Sequence, residues 1–182
     1  MDYIAFLRGI NVGGKNIIKM ADLKLLFVNL GMNDVITYIQ SGNVLFSSDK
    51  DEKILIEELE KAIEETFSIS VPIIIRNSSQ LEQILKNKPF SDIETVNKRI
   101  TTESFYIFLF AQELSLKDAE RISVYKKGND KIELVGRDLY VLFDQSIRNS
   151  KLANTLQKMK IPVTSRNMNT IAKLFDIKKQ KN

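Results

Sequence analysis

The chain has 182 residues, of which 43% are hydrophobic and 27% charged, with a net charge of +4. That length allows one large domain or two small ones, and the balance is that of an ordinary globular protein. It contains no His and no Cys, which excludes the usual zinc sites, haem ligation, Cys nucleophiles and Ser-His triads. Acid–base chemistry falls to Asp, Glu, Lys or Tyr, and a carboxylate and carbonyl site for Mg²⁺ stays open, although no metal ligands are singled out. No apolar run approaches the ~20 residues of a membrane span, and Asp2 and Arg8 interrupt any leader-like pattern. The expected compartment is the cytoplasm, with no membrane partner.

The first predicted strand is Tyr3 to Leu7, an unbroken apolar run. A helix follows from about Met20, with Met20, Leu23, Phe27 and Leu30 on one stripe and Gly31 at its C-terminal cap. Val35 to Ile39 and Val44 to Phe46 read as a hairpin turning at Ser41-Gly42-Asn43. Ser48 or Asp49 is placed to cap a helix in which Leu55, Leu59, Ile63 and Phe67 recur every fourth residue. Val71 to Ile75 is the fourth strand, and Pro72, which lacks a ladder donor, places it at a sheet edge. The order is βαββαβ, the ferredoxin-like pattern. Ser79 to Glu82 fits a capping box for a short helix, and residues 88–103 read as a polar linker.

The pattern then repeats. Phe105 to Phe110 is a strand, and Ser115 opens a helix. Ile132 to Val135 and Leu139 to Val141 form a hairpin turning at Gly136-Arg137-Asp138. A helix from about Lys151 to Met159, a strand from Ile161 to Thr164 and an added helix from about Thr170 to Phe175 complete the chain. The expected fold is α+β: two ferredoxin-like (βαββαβ, α/β plait) units with antiparallel sheets, plus a C-terminal helix. The expected boundaries are 1–77 for unit one, 78–103 for a linker with its short helix, and 104–182 for unit two.

Chemistry concentrates after the first strand. Gly9, Gly13 and Gly14 are three of the chain's seven glycines, and Arg8 and Lys15 bracket Gly13-Gly14 with positive charge. Glycine-rich backbone of this kind can aim several N–H groups at an anion. In a ferredoxin-like unit this loop and the Ser41-Gly42-Asn43 hairpin emerge at the same end of the sheet. That places Arg8, Asn11, Gly13, Gly14 and Lys15 near Ser41 and Asn43, a set suited to a phosphate or carboxylate. Alternatively, the glycines only turn the chain and Asn11, Ser41 and Asn43 hold the loops in shape. Arg166 and Asn167 stand in the same balance, reaching a ligand or capping the last helix.

The motifs Leu7-Arg8-Gly9-Ile10-Asn11-Val12-Gly13-Gly14-Lys15-Asn16, Thr37-Tyr38-Ile39-Gln40-Ser41-Gly42-Asn43 and Thr164-Ser165-Arg166-Asn167-Met168-Asn169-Thr170 together resemble the signatures of the bacterial domain of unknown function 1697 family. The third has Met168 where an aromatic Trp is common. The resemblance implies a fold of two ferredoxin-like units, and it implies no activity.

Two other classes are open. An enzyme acting on a phosphorylated or nucleotide substrate would use Arg8 and Lys15 to stabilise charge, with Asp144 or Tyr38 as acid–base groups. Gly9 to Lys15 even fits G-x-x-x-x-G-K, but Asn16 replaces the hydroxyl residue, the helix starts late and the hairpins deny a parallel sheet. The third class is nucleic-acid binding. Residues 145–182 carry nine Lys or Arg and one acid, a segment of +8 against −4 for the remainder. Recognition on the sheet face lacks support, since strand three offers only Phe46 as an aromatic.

Overall fold

The computed structural model describes residues 1–87, 89–90 and 104–180; most of the expected 88–103 linker lies outside them. The elements run β1 (Asp2–Leu7), α1 (Met20–Asn29), β2 (Asn33–Tyr38), β3 (Asn43–Ser47), α2 (Glu52–Phe67), β4 (Ile73–Asn77) and α3 (Ser78–Lys86). They continue as β5 (Phe105–Phe110), α4 (Leu116–Ser123), β6 (Lys131–Val135), β7 (Asp138–Leu142), α5 (Lys151–Gln157), β8 (Val163–Asn167) and α6 (Met168–Lys179). The strands form two antiparallel sheets of order β2-β3-β1-β4 and β6-β7-β5-β8. This is the expected α+β architecture of two ferredoxin-like plaits. The chain divides into two compact units, residues 83–173 and residues 1–82 joined by the C-terminal segment from Leu174.

In unit 1 the alternation along β1 decides the layering. Tyr3, Ala5 and Leu7 pack with Leu23, Phe27, Leu55, Leu59 and Ile63, so α1 and α2 cover that face. Phe46 joins them, stacked on Tyr3 and edge-on to Phe27. On the other face Ile4, Phe6, Leu45 and Ile74 are also buried. β4 is an edge strand as expected, but it runs Ile73–Asn77 rather than from Val71, so Pro72 precedes the ladder instead of lying in it. In unit 2 Phe108, Phe110, Leu139 and Val141 pack with Ile122, Leu152 and Leu156.

Local signals set several ends. At α1 the Gly31 N–H donates to the Val28 carbonyl and the Met32 N–H to the Phe27 carbonyl, with Gly31 at φ 81°. This is the Schellman arrangement that a residue without Cβ permits. Ser115 caps α4 by accepting from the Asp118 N–H. Two expectations are corrected. The residue before α2 is Asp51, not Ser48 or Asp49, and its side chain makes no capping bond; the Ser48 hydroxyl instead accepts from the Lys50 N–H. The capping box of α3 is Asn77–Gln80 rather than Ser79–Glu82: the Asn77 Oδ1 accepts from the Gln80 N–H and the Gln80 Oε1 from the Asn77 N–H. The helix starts directly from β4 without a loop, so the last strand residue takes the capping role.

Candidate functional site: the loop after β1 and the β2–β3 hairpin

β1 delivers the chain out of the sheet at Leu7. The Leu7 N–H donates to the Gly42 carbonyl at 2.8 Å and the Arg8 N–H to the Pro72 carbonyl at 3.0 Å. The loop between β1 and α1 then folds into a small hairpin of its own. Val12 and Lys15 bridge across Gly13-Gly14, and the Lys15 N–H donates to the Val12 carbonyl at 3.1 Å. Both glycines have positive φ, 59° and 73°, as a two-residue type I′ turn requires. Outside this pair the Asn11 N–H donates to the Asn16 carbonyl at 3.1 Å, and the Asn16 amide reaches the Gly9 carbonyl at 3.1 Å. Asn11 and Asn16 are themselves left-handed, at φ 54° and 49°, a conformation that Asn tolerates better than most residues.

The second loop locks onto the first. The Asn11 Nδ2 donates to the Gln40 carbonyl at 2.9 Å and to the Ile18 carbonyl at 3.0 Å. The Asn11 Oδ1 accepts from the Ile18 N–H at 2.9 Å. Gly42, at φ 74°, lies so close to Ile10 and Leu7 that a Cβ would come within 2.7 Å of Ile10 Cδ1. Ile39 is left-handed at φ 48°, an outlier for a β-branched side chain. Of the eleven positive-φ residues described, seven fall in these two loops. Backbone of this kind persists only where its surroundings over-determine it.

The structure therefore brings the two predicted loops together, and it sorts their residues. Asn11 bridges the loops through one hydrogen bond, to the Gln40 carbonyl, and closes its own loop through two more to Ile18. Asn43 is fully buried and donates to the Tyr38 carbonyl and the Ser41 hydroxyl, both at 3.0 Å. These three side chains act as loop scaffold. Arg8 is half-buried, while Gly13, Gly14 and Lys15 are exposed at the tip. Val12, Ile17 and Ile39 are exposed beside them.

Arg166 and Asn167 belong to unit 2 and have structural work there. Arg166 is buried on β8, and its Nη1 donates to the Thr164 hydroxyl and the Ser165 carbonyl at 2.8 Å. Burial pulls its pKa down to about 10. The Asn167 Oδ1 accepts from the Asn169 N–H at 2.8 Å at the start of α6, which is the capping alternative. Arg76 and Asn77 are their counterparts in unit 1: Arg76 opposes Ile4 across the sheet as Arg166 opposes Ile107. The underlying repeat is Val71-Pro72-Ile73-x-x-Arg76-Asn77 against Ile161-Pro162-Val163-x-x-Arg166-Asn167. This internal identity is visible in the sequence once the two fourth strands are superposed.

The enzyme candidates fall in different units. Tyr38 is half-buried at the end of β2 in unit 1. Asp144 lines a cleft of about 570 Å³ in unit 2. The P-loop match fails on topology, because β1 pairs antiparallel with both neighbours. Among the described residues no group of three or more acidic side chains is placed to hold a metal, and no helix is long and apolar enough to cross a membrane. Within the basic C-terminal third, Arg166 is buried, Lys178 lies 3.9 Å from Asp2 and Lys179 sits 4.6 Å from the Phe175 ring centroid.

The fold and its loops define a class, the α+β proteins built of two ferredoxin-like plaits. A solved structure described as a conserved bacterial protein from Streptococcus pneumoniae has the same fold, with a TM-score of 0.70 and 24% identity over 96% of this chain and 97% of that one. The chain belongs to the family described as protein of unknown function DUF1697, whose model matches residues 1–140. That match contains the first two of the three motifs noted in the sequence. No curated protein matches the chain.

Proposed function

We propose that this protein binds an anionic, phosphate- or carboxylate-bearing ligand at the interlocked loops of unit 1. The observation that carries the reading is the interlock itself: Asn11 and Gly42 fix a strained hairpin whose exposed tip joins Lys15 to Gly13-Gly14. A rigid, glycine-rich tip can present backbone N–H groups to an anion without ordering them first. Lys15 supplies charge at the tip and Arg8 at its base. Asn11, Ser41 and Asn43 hold the loops.

The test is thermal unfolding of the full chain with increasing inorganic phosphate or citrate. Ligand binding raises the melting temperature as RT ln(1 + [L]/Kd). Lys15 is exposed, so Lys15→Ala leaves the ligand-free melting temperature in place and removes most of the phosphate-dependent rise. Arg8→Gln reduces the rise as well. An equal rise in wild type and Lys15→Ala, or no rise in wild type with either anion, overturns the proposal.

A further inference from the structure

The cleft in unit 2 opens where β6 begins and β7 ends. Its volume, about 570 Å³, lies within the range of small-molecule sites. Phe143 and Leu152 belong to the buried core beneath it, and the half-buried Tyr125 offers apolar surface at the cleft itself. The rim is polar and already organised. The Asn129 Nδ2 donates to Asp144 Oδ2 at 3.3 Å, and the Asp144 N–H donates to Asp130 Oδ1 at 3.0 Å. One oxygen of each carboxylate is thereby held. The other, Asp130 Oδ2 and Asp144 Oδ1, has no hydrogen bond from the described residues. The Tyr125 hydroxyl is paired with the Thr155 hydroxyl at 2.7 Å, which anchors the ring at the cleft.

We propose that this cleft binds a small neutral polyhydroxylated molecule of the mono- or disaccharide class. Charge argues against an anion, because Asp130 and Asp144 outnumber Lys151, the cation among the described lining residues. A purely apolar ligand would strip water from the carboxylates without replacing it. A sugar meets both halves of the lining. Its hydroxyls donate to the free carboxylate oxygens and exchange hydrogen bonds with the side-chain amides of Asn129, Gln145 and Asn149. A C–H face lies against the Tyr125 ring. The lining residues all belong to unit 2.

The experiment is an amide NMR titration of the full chain with glucose, N-acetylglucosamine and maltose at millimolar concentration. At least one sugar should shift the Asn129, Asp144, Gln145 and Asn149 amides in a saturable way. Asp144→Asn keeps the shape of an exposed side chain and should weaken that sugar about tenfold, because a charge-assisted bond becomes a neutral one. Lys15→Ala should leave the titration unchanged. No saturable shift with any of the three overturns the proposal. So does a saturable response of these amides to putrescine or inorganic phosphate and not to sugar, which would make the cleft a cation or anion site.

Discussion

The two units share a plan and differ at one end of it. In unit 1 the Leu7 N–H meets the Gly42 carbonyl and the Arg8 N–H meets the Pro72 carbonyl; in unit 2 the Phe110 N–H meets the Arg137 carbonyl and the Ala111 N–H meets the Pro162 carbonyl. From these matched points the chains part. Unit 2 crosses from β5 to α4 in residues 111–115 and turns between β6 and β7 at residues 136–137. Unit 1 takes residues 8–19 and 39–42 for the same connections. It fills them with left-handed residues and locks one loop on the other. Unit 2 shows what the plait needs to close, so the excess in unit 1 is what the plait does not need. Extra ordered loop on a rigid scaffold is where binding is ordinarily carried. The replacement of Ala111 by Arg8 at matched positions points the same way.

The sharpest way to break this comparison is a pair of glycine substitutions. Gly42→Ala combines positive φ with a Cβ within 2.9 Å of both Ile10 and Leu7, and should cost about 3 kcal/mol or more. Gly136→Ala, with positive φ and open space, should cost only about 1–2 kcal/mol. Urea unfolding measures both, and equal costs would mean that the loops of unit 1 are not interlocked.

Asn11→Ala comes next. It removes three hydrogen bonds at once and leaves the Gln40 and Ile18 carbonyls without that donor. A loss of about 2 kcal/mol is expected. Amide exchange should speed up in residues 9–18 and 39–42 while β5–β8 stay protected. Uniform exchange across the chain would make Asn11 a general stability residue rather than a clasp.

The smallest effect separates the units by pH. Tyr140 faces Ile107 across the sheet, where unit 1 has Leu45 facing Ile4. Its hydroxyl donates to the Ile84 carbonyl at 3.1 Å. Burial, with Asp138 adding to it, pushes its pKa up from 10 to about 12. The folded chain therefore holds this proton more tightly than the unfolded one. The resulting stability is complete below pH 10 and is lost as the pH rises through about 12. Arg166, lowered from 12.5 to about 10, works in the opposite sense, its buried charge becoming less unfavourable as the pH rises through that range. The stability difference between wild type and Tyr140→Phe isolates the tyrosine and should shrink between pH 10 and 12. A constant difference would show that the hydroxyl titrates alike in both states.

Much of this was legible in the chain. The stripes Met20-Leu23-Phe27-Leu30 and Leu55-Leu59-Ile63-Phe67, the Gly31 cap, the Ser115 cap and the hairpin at Gly136 stand where local spacing put them. Local geometry also foretold that the loops after β1 and β2 would meet, because β1 and β2 run in the same direction in a plait. The roles within those loops were less legible. Asn11, Ser41 and Asn43 have the donors of a binding site and of a loop clasp alike. Arg166 reads as a ligand contact or a helix cap, because nothing in Thr164-Ser165-Arg166-Asn167 marks it as buried. The shared Pro-x-x-x-Arg-Asn segment was present all along, but its meaning depends on knowing that both copies form edge strands.

The sequence by itself determined most of the secondary structure, the doubled antiparallel plait and the meeting of two loops at one end of unit 1. Periodicity, caps and glycine turns are properties of residues a few positions apart, so they survive reading in one dimension. Only the tertiary structure decided which polar groups are scaffold and which face solvent. The Asn11 amide is engaged by a carbonyl 29 residues away, and Gly42 is required because Ile10 and Leu7 fill the space a side chain would occupy. The unit 2 cleft is likewise assembled from Tyr125, Asp130, Phe143, Asp144 and Leu152, residues with no motif to join them. Hydrogen-bond satisfaction and burial are set by neighbours in space, and the chain declares those neighbours only when it folds.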